Sequence, residues 1–550
     1  MKQEEILKQK LALALDLYVK KKYKIAKEKF QEITNIHNTN PFAYFMLGSC
    51  FVRLNDLENG QKNYEKVIAI NPTHIEAYNS LGIIFKIQKK YKDAMKCFKK
   101  TISLNSQYFK GHYNLGNIFE LLGEYNKAKI SYKNVININL NFSDAYFRLG
   151  SIAMYSANYK SAEEYFKKTI DSNPNHFQAY NNMGIVLTFL DNYKNASENF
   201  KKSLEINPNY ADAQANLTNA YLKMSVKKET IISESFKCLK MLNYQQFPFP
   251  GNFINKFRLK HDVGQAELIA SNNFKVQGIK TFIEIGNNIL INRGNNEKIY
   301  LDDKETNSLL DFYRSTFIYK IENLPKSYIN SDKNWKKIED EYLHSKNQIT
   351  YIDNFLSEEC LFELRKFCLL SKVWLQDYKN GYLGSFVDRG FISPLHLKIA
   401  EELNQKLPKV FGKLVRLWGF KYDTKLGKGI NIHADAAIAN LNFWITPDEF
   451  HNNKEGGGLK VYDAPAPDNW HFNDYNDNPK KIYEFLKEKK PNLVTVPYRY
   501  NRAVLFNSAY FHETDQIDFV DKYEGRRINV TYLFGERSSK FGWNKERKKI

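Results

Sequence analysis

A stack of paired α-helices wound into a superhelix, then a double-stranded β-helix (jelly-roll) with flanking helices, is the multidomain architecture that this sequence predicts. Three observations carry that reading. A 34-residue period runs through the first 224 positions, it vanishes between 225 and 345, and from 346 onward the chain breaks into short β-rich runs separated by Gly, Pro and Asn. The total of 550 residues exceeds what one core can hold and calls for about three or four domains. Hydrophobic residues at 43% and aromatics at 15% supply ample material for burial and argue against wholesale disorder.

The repeat comes first. Gly48, Gly82, Gly116, Gly150 and Gly184 recur at the period, as do Tyr23, Tyr91, Tyr125, Tyr159 and Tyr193, with Leu57 in the one gap. The aromatics Phe30, Tyr64, Phe98, Tyr132, Phe166 and Phe200 follow the same spacing, and Asn71, Asn105, Asn139, Asn173 and Asn207 mark successive unit ends. A small residue lets two helices approach, an aromatic fills the space between neighbours, and Asn-Pro stops one unit before the next begins. The pattern resembles the tetratricopeptide repeat, with units at 7–40, 41–74, 75–108, 109–142, 143–176 and 177–210 and a capping helix to 224. That resemblance implies a right-handed superhelix whose concave face binds a peptide or partner protein; a spacer or dimerisation arm is the alternative.

Between 225 and 345 the sequence predicts a mainly helical connecting region. "SFKCLKML" and "NSLLDFYRSTFIYKI" read as helices, "QQFPFPGNF" as a break, and "KTFIEIGNNILINR" as strand or helix. No chemistry is evident there.

The C-terminal part, 346–550, opens with a strand, then Ser357 as N-cap with Glu358 and Glu359 in the first turn of a helix. After Gly419 the runs "NLNFWIT", "GGGLKVYDA", "NLVTVPY", "NRAVLFNS" and "RRINVTYLFG" have the spacing of a double-sheet jelly roll or barrel. His433 and Asp435 stand two apart at the head of a run that reads as strand, so both are expected on one face. His512 lies beyond a strand whose Val504 and Phe506 point inward. Two histidines and a carboxylate leave three positions of an octahedral ion open, the arrangement associated with non-haem iron. In the last strand, alternation puts Arg527, Asn529 and Thr531 on one face and Arg526 with Ile528, Val530 and Tyr532 on the other.

These residues resemble the 2-oxoglutarate and Fe(II)-dependent dioxygenases, closest in layout to the prolyl-hydroxylase branch, over residues 346 to about 540. "HAD" gives His433 and Asp435, "FHET" gives His512, "RRINVT" gives Arg527, and "GGGLKVY" is similar to the Gly-Gly-x-Leu strand of that family. The resemblance implies Fe(II), 2-oxoglutarate and O2 as cofactor and cosubstrates, with ascorbate as an auxiliary reductant. It also implies hydroxylation of a peptide or protein, prolyl-type favoured, presented by the repeats. Arg527 is expected to hold the distal carboxylate of 2-oxoglutarate, with Arg526 the competing choice. That arginine departs from the lysine of collagen-type prolyl hydroxylases and is similar to the oxygen-sensing and nucleic-acid demethylating branches. Asn529 shares the cosubstrate-facing wall with Arg527, and Tyr422 and Asn442 are further cosubstrate candidates, with satisfaction of barrel edges the alternative for those two. Arg389 reads as a surface charge, and His451 and His471 as solvated loop residues.

Other function classes fare less well. The net charge of +20 comes from scattered Lys and reads as a solvated surface, so nucleic acid is not an expected partner. Five cysteines without a CxxC suit a reducing cytosol, and no apolar run reaches the roughly 18 residues of a membrane span, which together predict a cytoplasmic protein. A hydroxylase of a free amino acid or small metabolite, and a non-catalytic repeat scaffold with a structural barrel, are the alternatives; oligomeric state is left open.

Overall fold

The structure is a computed structural model that describes residues 2–535 apart from 248, 379, 427, 428, 454, 468 and 471. It divides into two compact units, 1–179 and 180–550.

The first unit is helical throughout. Helix pairs Pro41–Arg53 with Leu57–Ile70, Ile75–Ile87 with Tyr91–Leu104, Phe109–Leu121 with Tyr125–Ile138 and Ser143–Tyr155 with Tyr159–Ser172 follow an opening pair, Lys2–Val19 and Tyr23–Ile36. The periodic residues explain the pairing. A Cβ on Gly82 would lie 2.6 Å from the Phe98 ring, on Gly116 2.7 Å from Tyr132, and on Gly150 2.7 Å from Phe166. Each glycine is therefore the floor on which the next helix's aromatic lies. Each unit-ending Asn folds its side chain back on the following turn: Asn105 Oδ1 accepts from Gln107 N at 2.9 Å, and Asn71, Asn139 and Asn173 make the same bond two residues on.

The second unit starts within the repeat pattern and ends in β-structure. Gly184 and Phe200 repeat the close contact at 2.5 Å. Helices α1 (Ala211–Met224) and α2 (Lys228–Gln246) then pack on a loop at 387–390: Asn219 donates to Asp388 Oδ2 at 2.9 Å, Ser235 Oγ donates to the Val387 carbonyl at 2.6 Å, and Gly390, at φ 99°, lies against Leu239. Helices α3 (Lys256–Ser271), α4 (Ile279–Arg293) and α5 (Asp303–Arg314) share a core built on Leu259, Val263, Phe282 and Phe312. The ambiguous "KTFIEIGNNILINR" is thus helix, and the helix in "NSLLDFYRSTFIYKI" stops at Arg314.

Strands β1 (Ile349–Ile352), β2 (Gln376–Tyr378), β3 (Tyr382–Phe386), β4 (Leu414–Tyr422), β5 (Ala439–Trp444), β6 (Leu459–Pro465), β7 (Leu493–Val496), β8 (Ala503–Asn507), β9 (Tyr510–Thr514) and β10 (Ile528–Phe534) form two sheets. The larger is antiparallel, with seven strands in the order β1-β8-β5-β10-β4-β3-β2; the smaller has the order β7-β6-β9. One face of the large sheet (Leu417, Leu441, Phe443, Leu505, Val530, Tyr532) is buried with the helices Glu358–Leu370, which begins at the expected Ser357 cap, and Pro394–Lys406. The opposite face meets the small sheet, where Leu459 and Val461 join Tyr422, Trp444, Val504 and Phe506 in a second cluster. Among the described residues no helix is long and apolar enough to cross a membrane.

Candidate metal centre

Register determines what the second face of the large sheet displays. Trp418, Thr531, Asn442 and Val504 stand in one row across β4, β10, β5 and β8; Phe420, Asn529 and Trp444 form the row on one side, and Arg416, Leu533, Asn440 and Phe506 the row on the other. The alternation expected for the last strand is the one the sheet has: Arg527, Asn529 and Thr531 face this side, and Ile528, Val530 and Tyr532 face the helical core.

Over these rows lie His433, Asp435 and His512, whose candidate ligand atoms all fall within 4.8 Å of one another. The expectation that His433 and Asp435 sit on a strand is corrected: β5 begins only at Ala439, and the preceding segment is irregular. His433 instead makes a single bridge to His512 on β9, exchanging backbone bonds of 3.0 and 2.8 Å, and Asp435 N donates to the Ser508 carbonyl at 2.9 Å. An irregular path lets the two side chains converge, where a regular strand would hold them about 7 Å apart in parallel.

The protonation pattern follows from the partners. His433 Nδ1 donates to the Asn431 carbonyl at 2.8 Å and His512 Nδ1 to the Tyr510 carbonyl at 3.0 Å, since a carbonyl can only accept. With Nδ1 so committed, each ring turns its Nε2 inward, His512 at 3.4 Å from Asp435 Oδ2 and His433 at 3.9 Å from Oδ1. Burial and the neighbouring His512 push His433 down to about 4, so it is neutral near pH 7. Asp435 is buried, which opposes ionisation, yet His512 and His433 hold its carboxyl below the ordinary range. An imidazole Nε2 aimed at a carboxylate requires a proton or a cation between the two. Asn440 Nδ2 fixes Asp435 Oδ2 at 2.8 Å, a residue that sequence reasoning missed. This donor set, two imidazoles oriented by backbone carbonyls and one carboxylate held by an amide, fits a divalent first-row metal.

Beneath the triad is a small cavity, of about 20 Å³, that Arg527, Asn529, Thr531, Asn442 and Thr514 help to line. The Arg527 side chain is fully buried; its Nε donates to the Gly457 carbonyl at 2.7 Å and Nη1 to Asn529 Oδ1 at 3.2 Å, with the Tyr422 ring 4.7 Å from its Cζ. Among the described residues it makes no ion pair. Asn442 donates to Thr531 Oγ1 at 3.0 Å and leaves its Oδ1 without a partner, as Trp444 leaves its Nε1. Tyr422 is fully buried beside Arg527, its hydroxyl 3.4 Å from Thr514 Oγ1. Arg526 is not brought into this cavity; it pairs with Asp423 at 3.2 Å. His451, expected in solvent, is buried, stacked on Phe519 at 4.6 Å and edge-on to Tyr498. His471 lies outside the described residues.

From His433 and Asp435 an open trough of about 530 Å³ leads outward along Phe386, Arg416, Trp418 and Phe420. Comparison with known proteins defines only the helical part. Tetratricopeptide repeat families match residues 43–74, 109–142 and 143–176 and residues 75–108 and 177–210. Residues 43–210 are tetratricopeptide repeats, and the N-terminal part of the chain is an all-helical superhelix of that class. No curated protein matches this sequence. Among solved structures, the chain is similar to YrrB, described as a TPR protein with an unusual peptide-binding site (21% identity, 34% of this chain and 95% of that one, TM-score 0.29). It is also similar to MamA (25% identity, 30% and 96%, TM-score 0.28) and to pilF of Pseudomonas aeruginosa (15% identity, 39% and 97%, TM-score 0.36).

Proposed function

We propose that the protein is an Fe(II)- and 2-oxoglutarate-dependent dioxygenase, its two facing sheets forming a jelly roll, that hydroxylates a peptide or protein held by its tetratricopeptide repeats. The observation that carries this reading is one cavity with His433, His512 and Asp435 converging at its mouth and an arginine without an acidic partner at its base. When bound, iron and 2-oxoglutarate would activate dioxygen for hydroxylation of an unactivated carbon. His433 and His512 would hold the metal through Nε2, their Nδ1 bonds fixing each tautomer, and Asp435 would supply the charged ligand. Arg527 would receive the distal carboxylate in its planar fork, because a buried cation without an anion is costly, and Tyr422 and Thr514 would orient that carboxylate. The Asn529, Thr531 and Asn442 chain of hydrogen bonds would keep the wall rigid, and Trp418 and Phe420 would exclude water.

The polypeptide reading rests on the tetratricopeptide repeats, since the trough itself, at about 530 Å³, falls within the roughly 300–1,000 Å³ of ordinary small-molecule sites. Under anaerobic conditions, Fe(II) and 2-oxoglutarate together are expected to give a metal-to-ligand charge-transfer band that His433→Ala and His512→Ala abolish. Admission of oxygen should then yield succinate. Absence of both band and succinate in the wild-type protein would refute the assignment.

A further inference from the structure

The trough that leads away from the triad has a wall of rings and an exposed carboxylate. Register builds the rings: on β3 and β4 Gly384 stands opposite Phe420 and Phe386 opposite Trp418, while Tyr378 of β2 pairs with Tyr382. A Cβ on Gly384 would lie 2.8 Å from the Tyr378 ring and 3.1 Å from that of Phe420, so a bare backbone lets these rings close over the sheet. Tyr378 stacks on Tyr382 with centroids 4.5 Å apart, and Phe420 meets Tyr382 edge-on at 5.5 Å and Tyr378 at 5.9 Å. The carboxylate is Asp477, which reaches the same trough just ahead of the helix Pro479–Lys489. Asn476 Nδ2 donates to the Ala434 carbonyl at 3.4 Å and Ala434 N to the Tyr475 carbonyl at 3.1 Å, which ties residues 475–477 to the segment that carries His433 and Asp435. Asp477 is exposed, acts electrostatically on His433, and forms no ion pair among the described residues. Arg416 also lines the trough, but the carboxylates it acts on are Asp388 and Asp435.

We propose, building on the dioxygenase reading, that the residue modified in this trough is a basic one, a lysine or arginine whose aliphatic stem lies on the Tyr378, Tyr382 and Phe420 rings and whose charged head Asp477 receives. Such a side chain is apolar along its stem and charged at its tip, and the trough offers a surface for each. The rings bury methylenes and attract a cation through their faces, and a carboxylate adds charge-assisted hydrogen bonds. A proline would cover the rings but leave Asp477 unmatched; an acidic side chain would be repelled by it. The net charge of +20 does not decide against a basic occupant, because it is spread along the chain and exposed charges farther off than about 8 Å are largely screened at physiological salt. In the reaction one atom of dioxygen enters a stem C–H bond as hydroxyl, the other enters succinate, and carbon dioxide leaves. The C–H bond and 2-oxoglutarate each give up two electrons to reduce the dioxygen.

The test is an anaerobic titration of the full-length protein, loaded with Fe(II) and 2-oxoglutarate, with short synthetic peptides that are alike except for a central Lys, Arg, norleucine, Pro or Glu. Perturbation of the charge-transfer band reports arrival beside the metal, which binding to the repeats alone would not produce. The Lys or the Arg peptide is expected to perturb the band at about a tenfold lower concentration than the norleucine, Pro and Glu peptides. On admission of oxygen, the central residue of that peptide should gain the mass of one oxygen atom. Asp477→Lys should reverse the preference in favour of the Glu peptide and Asp477→Glu should keep it, so a misfolded variant is distinguished from a change of specificity. Equal response to the norleucine or Pro peptide, or an unchanged preference in Asp477→Lys, would overturn the proposal and leave the dioxygenase reading standing. Absence of the band and of succinate in the wild-type protein without peptide would remove both.

Discussion

His396 shows how a single buried ring makes the fold less stable in acid. It is fully buried against Phe391 and Phe367, its Nδ1 is 2.8 Å from Ser393 Oγ, and its Nε2 has no partner. Burial pushes it down to about 3, whereas in the unfolded chain it takes up a proton near 6.5. Between those values the unfolded state binds more protons, so stability falls as pH drops through the window. His396→Phe should remove roughly 1.5 kcal/mol of the loss between pH 6.5 and 5, read from denaturant unfolding at both values. Arg527 makes a different prediction. Arg527→Ala should weaken 2-oxoglutarate binding ten- to a hundredfold, about 1.5–3 kcal/mol, while Fe(II) affinity changes little; equal losses would remove its assigned role. The side chosen by Arg527 was legible because a strand alternates. The burial of His451 was not, because its Asn-rich neighbours advertise solvent while Phe519, which covers it, arrives 68 residues later.

At the level of elements, the repeats were legible because their contacts are local and recur. Gly150 illustrates the cost of breaking one. An alanine in a helix interior ordinarily gains up to about 1 kcal/mol over glycine, but here its Cβ would enter the fully buried Phe166 ring at 2.7 Å. Gly150→Ala should therefore destabilise the first unit, and Gly150→Val more so, by roughly 1–3 kcal/mol in thermal unfolding. The turn within each pair offers the converse. Lys21, Asn55, Lys89, Gly123, Ala157 and Asp191 all have φ between 54 and 75°, a left-handed conformation that only the glycine adopts without strain. Ala157→Gly should stabilise the first unit by up to about 1 kcal/mol, read as a higher thermal unfolding midpoint. The segment 430–438 was illegible for the opposite reason. Its composition is that of a strand, and its shape is imposed by bonds to β9 and to the residues after β8.

For the whole molecule, the stretch with least legible order was 225–345. The buried face of α3 carries Arg258, His261, Asp262 and Gln265 among its aliphatics, which blurs any apolar period. The Arg258 charge is met both locally and from afar: it bonds Asp262, four residues on, at 2.6 Å and Asp377 of β2 at 2.7 Å. Helices α1 and α2 are likewise committed to the 387–390 loop. A fragment of residues 180–550 is thus expected to fold and keep the charge-transfer band, whereas one of 225–550 loses α1 and should lose solubility; calorimetry of the two fragments checks this. The attachment of α1 also has an evolutionary corollary. Interchangeable 34-residue modules invite tandem duplication and loss, but the capping helix anchored by Asn219 cannot be traded without disturbing the 387–390 loop. Lineages carrying this gene should therefore differ in how many modules precede the capping helix and agree on that helix.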